Sequence, residues 1–120
     1  MPYQVNGTTF PNRPLYRPAL EVIRLYADNH RDLSFDELVA RFRGHPGEPG
    51  RFRDLVHREG DSVVQADRER FSEPFPMHDG TQVVISGPQR WGRDELSDFI
   101  AFSNRLAEAE GDSRYRIVAI

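Results

Sequence analysis

The chain has 120 residues, a net charge of −3 and 38% hydrophobic residues, with 9 Gly and 9 Pro, the make-up of one soluble, turn-rich globular domain. That composition excludes a disordered tail, a collagen-like chain and a coiled coil. There is no cysteine and all 16 basic residues are arginine, so disulfide scaffolds, thiolate zinc sites, thiol catalysis and Schiff-base chemistry are excluded together.

No run approaches the roughly twenty apolar residues of a membrane span, and no apolar stretch follows the start as in a signal peptide. A cytoplasmic protein without a membrane partner is the expectation.

Tyr3-Gln4-Val5 and Thr8-Thr9-Phe10 flank Asn6-Gly7, a pair that tolerates positive φ at both central turn positions, so residues 3–10 read as a hairpin. Pro11, Pro14 and Pro18 then interrupt regular pairing. Pro18 suits the first position of a helix in which Ala19, Val22, Ile23, Tyr26 and Ala27 keep helical spacing up to Asn29.

Ser34 with Glu37 forms a capping box, and Leu33 with Leu38 has the spacing of a hydrophobic staple. They predict a helix over 35–43 that buries Phe35, Leu38, Val39 and Phe42. Gly44 to Gly50 is a breaker segment. Phe52, Leu55 and Val56 then predict a third short helix, 51–59, with Arg51, Arg53 and Arg58 outward and Gly60 just past its end.

Beyond residue 60 the apolar period changes to two. Ser62 to Ala66 reads as a short strand. Phe71, Phe75 and Met77 share a face before Asp79-Gly80 turns the chain into Thr81–Ser86. Pro74 and Pro76 lack donors on the same side, which fits an edge strand, whereas Val83, Val84 and Ile85 suit an interior one. A last helix, 93–109, has Asp94 and Glu95 in its first turn and stops at Gly111, with Leu96, Phe99, Ile100, Leu106 and Ala107 as its stripe. Tyr115–Ile120 closes the chain as a strand. The sum is one compact α+β domain, 1–120, with a small, mostly antiparallel sheet and three to four helices.

Charge is uneven. Residues 1–60 carry nine Arg against eight acids, and residues 61–120 carry seven against eleven. Within 41–58, Arg41, Arg43, Arg51, Arg53 and Arg58 face only Glu48 and Asp54, a cluster able to form a positive patch on an acidic protein. The all-arginine usage itself reads two ways, as codon bias or as selection for forked donors to phosphate and carboxylate.

Three helices followed by a hairpin is also the element order of a winged helix, with 51–59 as the recognition helix. Gln89-Arg90-Trp91-Gly92 contains the only tryptophan, read either as a stacking platform with Arg90 and Arg93 beside it or as a core plug between strand and helix. His30, His45, His57 and His78 have no metal-ligand spacing, and Asp94/Asp98 and Glu108/Asp112 are ordinary helix-surface spacings. Neither a nucleophile elbow nor a phosphate-binding glycine loop is present. No catalytic residue, metal or cofactor is expected.

Asn6-Gly7, Leu20–Ala27, Ser34–Phe42, Asp79-Gly80, Val83–Ser86, Trp91-Gly92, Phe99-Ile100 and Tyr115–Ile117 together resemble a small bacterial domain. That domain occurs in McrB-type and other restriction or DNA-processing chains and in short stand-alone proteins. Here Arg90 splits the Gln-Trp-Gly of its pattern. The resemblance implies a bacterial, cytoplasmic setting in DNA metabolism or defence, and no catalytic residue.

The leading expectation is therefore a non-enzymatic accessory module that binds nucleic acid or docks onto a nucleic-acid-processing partner. It would use Arg41, Arg43, Arg51, Arg53 and Arg58, with Arg90, Trp91 and Arg93. The alternative is a protein-interaction module, or a homodimer joined through the edge of the 71–77 strand or of the closing strand.

Overall fold

The computed structural model describes residues 2–44, 47–87 and 89–120. Its class is α+β, with four helices and two antiparallel three-stranded sheets. The chain groups into two compact units, Met1–Tyr26 with Arg90–Ile120, and Ala27–Gln89, and each unit holds one of the two sheets.

In the first unit, β1 (Tyr3–Val5) and β2 (Thr8–Phe10) form the expected hairpin, and both Asn6 (φ 48) and Gly7 (φ 80) take the left-handed conformation its turn requires. The helix α1 (Arg17–Asn29) follows, and the boundary between the units falls within it. The helix α4 (Arg93–Glu110) buries Leu96, Phe99, Phe102 and Leu106. It ends at Gly111 (φ 65), and the amide of Asp112 reaches back to the carbonyl of Ala107 at 2.9 Å, closing the last turn.

The closing strand, β6 (Ile117–Ala119), pairs antiparallel with β1 and gives the order β2-β1-β6. Two polar side chains of α4 hold it there. Buried Ser103 donates its hydroxyl to the carbonyl of Tyr115, and Asn104 accepts the Ile117 amide at 3.1 Å. The bond to Ile117 occupies an amide that faces away from β1, so this end of the strand edge is already filled.

In the second unit, α2 (Phe35–Arg41) begins with the full capping box: the Glu37 amide donates to Ser34 Oγ at 3.1 Å, and the Ser34 amide donates to Glu37 Oε1 at 2.9 Å. Phe35, Leu38 and Phe42 are buried, as the pattern predicts, whereas Val39 is only half-buried because it lines an open cleft. The second sheet has the order β3-β5-β4, from β3 (Val56–Arg58), β4 (Phe75–Pro76) and β5 (Gln82–Ile85). The 74–77 arm with its two prolines is an edge, and the Val-Val-Ile strand is the buried centre, as expected. Buried Ser72 fastens the start of this arm, since its hydroxyl accepts the Ile85 amide at 2.9 Å and donates to the carbonyl of Glu73 at 2.9 Å.

Two expected elements are replaced. Residues 51–59 are not a helix: Arg51–Asp54 form turns and Val56–Arg58 become β3. Phe52, Leu55 and Val56 are buried as the helical spacing demanded, but a turn entering a strand satisfies the same spacing. Pairing with β5 across Val56↔Ile85, His57↔Val84 and Arg58↔Val83 decides the outcome, because buried ladder bonds outweigh the weak propensity of a nine-residue window. With that helix goes the winged-helix order. Likewise Ser62–Ala66 is the short helix α3 rather than a strand; only Val64 is buried, and Gln65 Nε2 donates to the Glu59 carbonyl at 2.7 Å.

Asp54 makes the switch from turn to strand at φ 61, the left-handed region, and its carbonyl accepts both Ser86 Oγ at 2.9 Å and His57 Nε2 at 2.7 Å. A β-branched residue there loses about 1–2 kcal/mol, so Asp54→Val should lower the urea midpoint accordingly while Asp54→Gly stays close to wild type.

The capping box predicts a pH effect. Backbone and side-chain hydrogen bonds from Ser34 hold the Glu37 carboxyl below its ordinary range. A depressed carboxylate supports the native state above that range and loses the contribution as pH falls through the lowered value. The Ser34 amide should therefore lose exchange protection on acidification, and Glu37→Gln should remove this pH dependence.

Candidate functional site

The switch into β3 shapes a cleft of about 370 Å³ in the second unit. Phe35, Phe42, Phe52 and Leu55, all buried core residues, supply its apolar lining. The polar lining comes from three short segments: Asp36 at the start of α2, Arg43 just after α2, and the Arg53–Asp54 turn with His57 and Asp61 beyond it. Arg58 stands two residues beyond Val56 on the same face of β3, and its guanidinium lies 4.1 Å over the Phe35 ring.

Three of the five clustered arginines are thus gathered by this cleft: Arg43 and Arg53 line it, and Arg58 covers its phenylalanine. The other two do not line it. Arg51 leans toward Glu48 at 3.9 Å and lies 5.7 Å over Phe52, while Arg41 is half-buried in the last turn of α2.

The gathered arginines share their surroundings with Asp36, Asp54 and Asp61, and residues 27–89 as a whole carry eight Arg against twelve acids. Arg58 also helps hold the Asp79 carboxyl below its ordinary range, after the larger effect of the Thr81 hydrogen bonds. The field around the cleft is therefore mixed in sign rather than positive.

His57 does not make an acid–base pair with its neighbour. Its Nε2 contacts the main-chain carbonyl of Asp54, and its ring stands edge-on to Phe71 at 5.2 Å. Among the described residues no group of three or more His, Asp or Glu is placed to hold a metal ion, and no helix is long and apolar enough to cross a membrane. His45 lies outside the described residues.

The remaining residues singled out in the sequence lie in the first unit. Trp91 is 6% exposed and meets Phe99 edge-on at 5.6 Å, the core-plug arrangement, with no open ring face on which a base can stack. Arg90 is turned to Glu95 at 3.6 Å, both side chains mostly buried. Arg93 is exposed and lines a different cleft together with Arg13. The sequence reading passed over Arg13 because it stands in a proline-rich stretch without apolar periodicity. It also passed over Asp36 and Asp61 as cleft residues, since one precedes and the other follows the 41–58 window in the chain.

The chain matches no family model, no curated protein and no solved structure.

Buried and unique, Trp91 is a direct probe of this arrangement. Its emission should be blue-shifted and resist acrylamide quenching in the native protein. Trp91→Ala should cost about 3–5 kcal/mol in a denaturant titration, the range for deleting a large buried aromatic.

Proposed function

We propose that this chain is a non-catalytic accessory module that acts by docking onto a protein partner through the arginine-bearing cleft of its second unit. The bacterial DNA-processing or defence setting implied by the resemblance is part of the same proposal. The observation that supports it is the make-up of the cleft: arginines and aspartates interleaved around a small pocket floored by aromatic rings.

Protein interfaces are enriched in aromatic residues and arginine, and they align charges of both signs to fix register. Phosphate backbones reward something different, namely several cations converging without competing carboxylates. Three aspartates against three arginines, on a unit with an excess of acids, favour a protein segment over a nucleic acid. Such a segment would insert an apolar side chain against Phe35 and Phe52 and set a carboxylate beside Arg43 or Arg53.

Edge-to-edge pairing into a homodimer has weaker support. The β6 edge is three residues long with Asn104 bonded to its Ile117 amide, and β4 has two residues and follows Pro74.

A random peptide library selected on the immobilised protein tests the proposal. Enriched peptides should pair an apolar residue with Asp or Glu, shift the amides of Phe35, Arg43, Arg53 and His57, and lose about tenfold in affinity with R43E/R53E, a change of about 1.4 kcal/mol. Peptides that bind the double variant as well as wild type would overturn the assignment. So would duplex DNA that shifts those same amides with a log–log salt slope of about −3, the value for three phosphate contacts.

A further inference from the structure

The first unit carries a second concavity, of about 480 Å³, whose chemistry is unlike that of the docking cleft. One wall is the side of α4, where Arg93, Leu96, Ser97 and Ile100 recur at helical spacing. The end of the first sheet supplies Tyr3 and Ala119, which are directly paired across β1 and β6 and so stand side by side on one face. The segment between β2 and α1 closes the third side with Asn12, Arg13 and Leu15.

What separates this site from an ordinary surface groove is its charge. Two arginines line it and no carboxylate does, in a unit where eight Arg face seven acids. Several other arginines of the chain are drawn to carboxylates: Arg24 to Glu21, Arg68 to Glu59, Arg70 to Asp67, Arg90 to Glu95 and Arg114 to Asp112. Arg13 and Arg93 have no such partner among the described residues. Two like charges facing one concavity repel each other, and an anion between them reverses the sign of that interaction.

The rest of the lining limits what the anion is. Leu15, Leu96 and Ile100 offer an apolar surface next to the guanidinium groups, and Tyr3, Asn12 and Ser97 add hydroxyl and amide groups at its margin. The volume lies within the range of about 300–1,000 Å³ typical of small-molecule sites, and an apolar lining with a few convergent polar groups is their usual make-up. A polyanion track would be longer, shallower and more cationic.

We infer that the first unit binds a small amphipathic oxyanion, with a phosphate or carboxylate head between Arg13 and Arg93 and an apolar body against Leu15, Leu96 and Ile100. The planar guanidinium fork matches both heads, which share the same pair of acceptor oxygens. Because the site lies in the other unit from the docking cleft, the inference stands or falls independently of the proposed function.

Titration of the ¹⁵N-labelled protein with phenyl phosphate and with phenylacetate tests it and separates the two heads. At least one should give saturable shifts at Arg13, Arg93, Ser97 and Tyr3, with a millimolar dissociation constant suited to a fragment of about ten heavy atoms. Arg13→Gln and Arg93→Gln should each weaken binding at least about fivefold, and the double variant should abolish saturation, as expected for losing charge-assisted hydrogen bonds. Both arginines are exposed, so the variants keep the fold and the Trp91 emission reports it. The inference is overturned if neither compound shifts these amides, if the double variant binds as wild type does, or if uncharged benzyl alcohol binds as tightly as the anions.

Discussion

The antiparallel pairing of Val56–Arg58 with Val83–Ile85 is the constraint on which the second unit depends. Those three residue pairs turn a segment of helical spacing into a sheet edge, and the chain must then pass from turn to strand at Asp54 in a left-handed conformation. Two hydrogen bonds to the Asp54 carbonyl hold it there. The consequence reaches the surface. A helix over 51–59 would have kept Arg51 and Arg58 together on one flank of its apolar face, with Arg53 on the other. As turn and strand, the segment instead sends Arg51 toward Glu48, Arg53 into the cleft and Arg58 across Phe35.

This rearrangement changes the meaning of the arginine cluster. A count of charges in a linear window treats neighbours in sequence as neighbours in space, and acids elsewhere in the chain do not enter it. Asp36 comes from the preceding helix and Asp61 from the segment after β3, yet both line the cleft with Arg43 and Arg53. Charges of both signs that share one small cleft offset one another, so the local potential follows from the fold and not from the window.

The first unit shows how few polar contacts are needed to seat a terminal strand. Ser103 and Asn104, adjacent on α4, bond the carbonyl of Tyr115 and the amide of Ile117, and β1 takes the other side of the strand. Once β6 is seated, Ala119 stands beside Tyr3 and the concavity with Arg13 and Arg93 has its sheet wall. Trp91 packs on Phe99 of the same helix, which accounts for a unique aromatic residue at a strand–helix junction by burial alone.

Much of the fold was written locally. The Asn6-Gly7 turn, the Ser34/Glu37 capping box, the Asp79-Gly80 hairpin, the stop at Gly111 and the edge position of the proline-bearing strand each depend on residues within a few positions of one another, so the sequence alone determined them. The α+β class follows from those elements. Only the tertiary structure decided that 56–58 is a strand, that 62–66 is a helix and that there are two small sheets in two units, because these outcomes rest on ladder bonds between residues far apart in the chain. The sites share that dependence. Arg43, Arg53 and Arg58 were legible as a cluster with Asp54, but the place of Asp61 in their cleft and the meeting of Arg13 with Arg93 in one concavity are products of long-range packing, which no local spacing encodes.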